Sequence, residues 1–131
     1  MAVTAALLHR VGGVNAYAFD GCLPDYTLLG KLIGVKTLTI QLLTASITEL
    51  WGAKPDGFEL DIAHQLLHAI VAQDWNREVK PMTKEAILLQ EAVRADMHLT
   101  GALDFMDMDM NSGPFTAFDP IAKTQYYRGT T

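Results

Sequence analysis

Apolar positions recur at helical spacing along most of the chain, and the breaks in that rhythm fall at glycine and proline. In residues 2–11, Ala6, Leu7 and Val11 share a helical face, and Gly12-Gly13 supplies a stop. Residues 12–35 carry no period. Gly12, Gly13, Gly21, Pro24, Gly30 and Gly34 punctuate them, with Tyr17, Phe19 and Tyr26 scattered between. An irregular stretch of this length inside a small domain is expected to be packed, functional or part of an interface. Within it, Leu28–Ile33 reads as a helical turn.

Residues 35–51 present a conflict. Val35, Thr37, Thr39, Ile40, Thr44, Ile47 and Thr48 are β-branched and favour a strand. Leu38, Leu42, Leu43, Ala45, Ile47 and Leu50 keep the helical rhythm, and the run lacks a turn signal for longer than an ordinary strand lasts. A helix ending at Gly52 and Pro55 is the expectation. Residues 56–75 form the next helix. Asp56 can accept from the first-turn amides while Glu59 reaches back, an aspartate version of the capping box. Leu60, Ala63, Leu67, Ile70 and Val71 make its main apolar face, broadened by Ile62, Leu66 and Ala69, with Trp75 at the far end.

Pro81 breaks the pattern and Thr83 caps a second long helix over 84–106, with Glu85 placed well in its first turn. Leu88, Ala92, Ala95, Leu99, Ala102 and Met106 alternate in steps of four and three, a heptad-like seam with small residues suited to close helix contact. Such a helix measures roughly 35 Å, so part of it is expected to project or to pack on a neighbour. Residues 111–131 have no helical or alternating period, yet Phe115, Phe118, Ile121, Tyr126 and Tyr127 are poor residues for a disordered tail. An extended arm that orders on a partner surface is expected there. The expected fold is mainly α: a small helical bundle over 1–110, with one long C-terminal helix, and an extended C-terminal arm over 111–131.

Composition narrows the function classes. The chain has 131 residues, half of them hydrophobic and 19% charged, with a mean hydropathy of +0.14. That is too apolar for disorder and leaves two readings, an unusually complete core or apolar surface covered by another subunit. The net charge of −5 disfavours gripping nucleic-acid phosphates, and no run of Lys or Arg offers a polybasic patch. The single cysteine, Cys22, excludes an internal disulfide framework and is expected to act as a small hydrophobe. No apolar run reaches the roughly 18 residues of a membrane span. The N-terminal residues lack the order of a secretory signal, so the expectation is a protein made and kept in a reducing compartment, or assembled there into something larger.

Candidate chemistry is sparse. His64 and His68 share a helical face, with Asp61 one turn earlier, and such a set can be imagined around a metal in a helical enzyme. The zinc-protease signature would need Glu at position 65, where Gln65 stands. Asp107, Asp109 and Asn111 resemble the start of a calcium loop, but Ser112 and Phe118 occupy the places of its obligatory Gly and Glu. Those carboxylates oppose the dipole at a helix C-terminus, so cations of a neighbour, or solvent, are expected to compensate. Phosphate-binding glycine loops, a nucleophile elbow and paired cysteines are all missing from the sequence. No cofactor, metal or catalytic residue is expected.

The order of elements resembles the head-to-tail connector (adaptor) proteins of tailed bacteriophages. Ala6-Leu7-Leu8-His9-Arg10-Val11-Gly12 is similar to that family's opening Ala/Leu helix with its glycine end. Pro55, Phe58, Ala63, Leu66, Leu67, Ile70, Ala72 and Trp75 look like its middle helix. Glu85 and Ala86, with the Ala92 and Ala95 seam, look like its last long helix. Together these segments cover about half the chain, and residues 13–35 have no counterpart. The resemblance implies a non-enzymatic virion protein of the phage neck, assembled in the host cytoplasm as a homo-oligomeric ring, commonly dodecameric. Its partners would be other copies, the portal and the tail proteins. Double-stranded DNA would pass through without specific binding, and no membrane would be involved. The interface expected on these grounds comprises Leu88, Ala92, Ala95, Leu99, Ala102 and Met106 on the helix, and Phe115, Phe118, Tyr126, Tyr127 and Arg128 on the arm. Two other classes stay open: a helical adaptor or regulator that dimerises through the same seam, and a metal-dependent helical enzyme using Asp61, His64 and His68.

Overall fold

A computed structural model describes residues 1–21, 23–52, 56–73 and 79–129. Cys22, Pro55 and Trp75 lie outside them. The chain is mainly helical and forms two compact units, Met1–Glu91 and Ala92–Thr131. The division falls inside the long helix, and the change expected at 110/111 from helix to non-helical chain occurs within the second unit.

The first unit contains α1 (Ala2–Leu8), α2 (Gly13–Ala16), a hairpin of β1 (Tyr17–Asp20) and β2 (Leu23–Tyr26), α3 (Leu28–Ile33), α4 (Val35–Trp51) and α5 (Gly57–Val71), and it ends in the opening turns of α6 (Lys84–Met108). In this unit α4 packs on α5, α2 on α3 and α4, and α1 on α5. The core is built from small and medium side chains: Ala5 on α1, Leu38 and Leu43 on α4, Ala63 and Ile70 on α5, Leu89 on α6. Small residues let helix axes approach, and the glycines take this furthest. A Cβ on Gly12 would lie 2.3 Å from the Thr39 backbone nitrogen, and one on Gly30 would lie 2.1 Å from the Ala16 carbonyl oxygen. The Gly12 N–H donates to the buried Thr39 hydroxyl at 2.9 Å, and that hydroxyl donates to the Val35 carbonyl at 2.9 Å. The glycine pair expected to stop the first helix instead opens α2, with Gly12 as its N-cap, and Gly12 is the seat of α4.

Several expectations hold in detail. The β-branched run of 35–51 is helical along its length; burial of Leu38, Thr39 and Leu43 on one flank outweighs its strand propensity. Asp56 accepts from the Phe58 and Glu59 amides, and Glu59 accepts from the Asp56 amide, so the capping box forms as read. Asp56→Ala should lower stability by about 1 kcal/mol in urea denaturation. An unchanged midpoint would show that α5 starts without this cap.

Other features depart from the pattern. The first helix ends at Leu8, short of Val11. On α5 the buried residues are Ala63, Leu66, Ala69 and Ile70, while Leu60 is exposed and Leu67 half-buried. The core face is thus rotated toward the residues expected only to broaden it. The irregular 12–35 stretch holds an antiparallel hairpin pairing Tyr17 with Tyr26 and Asp20 with Leu23. Gly21, at φ 87°, opens its two-residue connection. The Tyr17 and Tyr26 rings are tilted against each other with centroids 4.6 Å apart, and the Tyr17 hydroxyl donates to that of Tyr26 at 3.0 Å.

At the far end of α5, Lys36 donates to the Val71 carbonyl at 2.6 Å and Gln90 donates to the Ala72 carbonyl at 3.2 Å. These side chains satisfy carbonyls that a helix C-terminus leaves open. Thr83 caps α6 as expected, its hydroxyl oxygen accepting from the Ala86 amide.

Candidate interaction surface

Helical geometry places Leu88, Ala92, Ala95 and Leu99 on one side of α6, and all four are exposed. Leu99 keeps 61% of its surface in solvent. Among the described residues from Glu91 to Gly101 only Val93 is even half-buried, so the apolar positions of this stretch are exposed. The last two seam positions differ: Ala102 and Met106 are half-buried in the second unit.

The second unit is organised around the C-terminal end of α6. Beyond Met108 the chain is non-helical, as expected, and it folds back on itself. Phe115 bridges to Tyr127 and Asp119 to Thr124. The Thr116 amide donates to the Tyr126 carbonyl at 2.9 Å, and the Tyr126 amide returns a bond to the buried Thr116 hydroxyl at 3.0 Å. Asp119 accepts from the Ile121 and Ala122 amides and fixes the turn. The loop is tied to the helix by Asp109, whose carboxylate accepts from the Ala117 amide and pairs with the Arg128 guanidinium. Arg128 also donates to the Asp109 carbonyl at 3.3 Å, so a cation from the same chain answers the acidic helix end.

Of the arm residues expected at an interface, Phe115, Phe118 and Tyr127 are exposed and Tyr126 is half-buried with its ring 6.1 Å from Phe105. Arg128 holds an intrachain partner. Sequence reasoning missed Asp109 and Asp119, the two carboxylates that shape the unit. The Asp119-Pro120 pair carries a turn signal; Asp109 stands in the failed calcium loop and at the acidic helix end, and neither feature points to a partner within the chain.

Between α6 and the 119–126 turn lies an open cavity of about 550 Å³. Met97, Gly101, Ala102, Phe105, Ile121 and Ala122 give it mostly apolar walls, with His98, Asp119 and Tyr126 as the polar elements. Burial and the adjacent Asp119 carboxylate push the Tyr126 hydroxyl above the ordinary tyrosine range. A raised acid constant means the fold favours the protonated phenol. That contribution is complete below the unfolded tyrosine value and is lost as pH rises through the higher folded value. In an ultraviolet titration, Asp119→Asn should bring one tyrosine to lower pH; unchanged titration would show that the carboxylate is not the cause.

His64, His68 and Asp61 all lie on α5 and serve local roles where their bonds are visible. His68 Nε2 accepts from the Met82 amide at 2.9 Å, and Asp61 accepts from the Gln65 side chain at 2.7 Å. Among the described residues no group of three or more His, Cys, Asp or Glu is placed to hold a metal ion. No described helix is long and apolar enough to cross a membrane. Comparison with known proteins finds no matching family model, curated protein or solved structure.

Proposed function

We propose that this chain is a structural ring subunit of a phage neck, joining portal to tail and continuing the DNA channel. The observation that carries this reading is the uncovered apolar seam of α6, Leu88 to Leu99, on a chain whose element order resembles head-to-tail connectors. A lone soluble chain gains nothing from such a seam, whereas a subunit flanked by copies of itself covers it. The acidic balance supports the same reading, since a wall of net negative charge lets DNA slide without sticking. In this role the chain binds other copies, the portal and the tail proteins, resides in the virion neck and performs no catalysis.

Native mass spectrometry and electron microscopy of the purified chain, alone and with a portal, test the proposal. Rings that seat on the portal are expected. A monomer at high concentration overturns it, and a discrete dimer transfers the seam to the helical-adaptor class.

A further inference from the structure

The β1–β2 hairpin leaves nearly all of its surface in solvent. Every residue of its strands except Tyr17 is exposed, and Phe19 and Leu23 each keep 78% of their surface in water. Two strands alone are marginal, and a hydrophobic edge invites pairing with another chain. Which edge is open follows from the phase of the ladder. The Thr27 amide donates to the Ala16 carbonyl at 2.8 Å. By the register, Ala18–Asp25 and Asp20–Leu23 are then the hydrogen-bonded pairs, and the backbone groups of Tyr17, Phe19, Pro24 and Tyr26 point out of the hairpin.

The two edges differ. On β2, Pro24 has no N–H, and the Tyr26 N–H donates to the Asp25 carboxylate at 2.7 Å. That edge offers carbonyls and no free donor. On β1, the Tyr17 N–H donates to the Gly13 carbonyl. Phe19 keeps both of its backbone groups, because among the described residues nothing outside the hairpin bonds them. The hairpin is blunted on one side and open on the other, at Phe19.

We infer that β1 of one copy pairs antiparallel with β1 of a second copy, Phe19 opposite Phe19 across a two-fold axis. The edge is complementary to itself. Each Phe19 N–H donates to the other's C=O, as in the reciprocal pairs of an antiparallel ladder. The one charged residue of β1, Asp20, falls opposite Ala18 of the second copy, so no like charges face each other. Gly21 falls opposite Tyr17 of the second copy and brings no side chain against its ring. The two Phe19 rings form a cross-strand pair on the face that also carries Tyr17 and Tyr26. Four strands with an aromatic face reach the size at which a sheet holds in water, which two do not. Growth stops there, because the outer strand on each side is β2 with its blunted edge. The contact does not use α6 and does not depend on the ring-subunit reading; in a ring it is a second, isologous contact that joins two rings.

A residue that faces itself meets its own charge, so Phe19→Lys and Phe19→Glu test the axis. The site is exposed, and both variants should keep the native circular dichroism. Native mass spectrometry should show paired chains for the native protein, and self-association weakened about tenfold or more in each variant alone. Mixed in equal amounts, the two should pair again as one Lys chain with one Glu chain, because opposite charges then meet. Phe19→Pro removes the outward N–H without taking a bond from the hairpin ladder, and it should stay unpaired. Pairing of any single variant at native strength, or a mixture that pairs no better than its parts, overturns the contact. Rings that form alike in the native chain and all three variants keep the ring reading and remove this contact. Native pairs without rings, broken by each charge and restored by the mixture, keep this contact and remove the ring. Rings that double in the native chain and stay single in the variants keep both, and a monomeric native chain removes both.

Discussion

Gly12→Ala should destabilise the first unit by about 3 kcal/mol or more, at or beyond the upper end of ordinary overpacking. The added carbon would stand 2.3 Å from the Thr39 nitrogen, 2.5 Å from the Val35 carbonyl oxygen and 2.7 Å from the Leu38 carbonyl carbon. All three are backbone atoms, so no side-chain rotation relieves the clash. The helix α4 has to retreat as a body, and the bond from the Gly12 amide to the Thr39 hydroxyl goes with it. That leaves a buried donor unsatisfied, itself a cost of about 1–3 kcal/mol. The adjacent Gly13→Ala is the control. Its Cβ would meet only the Tyr17 ring at 3.7 Å, ordinary contact distance, on a helical residue where alanine is favourable. Urea denaturation of the two variants should give opposite outcomes. Equal midpoints would mean that α4 does not sit on Gly12.

Asp109→Ala should release the C-terminal loop while leaving the helices formed. The Asp109 side chain is only 8% exposed and serves the Ala117 amide and the Arg128 guanidinium together. Removing it takes the carboxylate partner from Arg128, which keeps only its bond to the Asp109 carbonyl, and leaves the Ala117 amide without its acceptor; bonds to charged groups contribute about 1.5–3 kcal/mol. The other bonds of the loop, between Thr116 and Tyr126 and around Asp119, close it on itself, and its further contact with α6 is the Tyr126 ring beside Phe105. Limited proteolysis should therefore cut residues 110–129 faster in the variant, with the helical circular dichroism kept. Asp107→Ala removes an exposed carboxylate from the same helix end and should cut at the native rate. Identical cleavage of both variants would show that the loop is held by something other than Asp109.

The helices were legible because their signals are local. Asp56 with Glu59, Thr83 and the Gly52 stop each act within one turn, and each structural bond lies where the sequence implies. The hairpin was not legible: Tyr-Ala-Phe-Asp and Leu-Pro-Asp-Tyr lack alternation, and Pro24 argues against a strand. Its pairing is fixed instead by the Gly21 turn and the Tyr17–Tyr26 contact across it. The rotation of the α5 face has a similar origin. Several apolar arcs were available on that helix, and which one is buried depends on where α1 and α4 lie. The intrachain Asp109–Arg128 pair spans a separation that no periodicity reports. At the candidate surface, the sequence identified Leu88, Ala92, Ala95 and Leu99 as a stripe, and the structure adds that they are exposed. The Gly101 cavity needed three dimensions, since its walls come from a helix and a turn more than a dozen residues further on.

Under the proposed assembly, the exposed stretch of α6 would also tie the order of the helix to the concentration of the chain itself. Between Glu91 and Gly101 the helix is held by its backbone bonds and a few side chains, with Gly101 weakening it from within. Whatever covers that stretch binds the helical form and not the frayed one. By mass action, each tenfold rise in the free concentration of a saturating neighbour adds about 1.4 kcal/mol to the helix. The order of the longest helix is then partly a property of the population, and dilution would be felt first at its middle rather than at its ends.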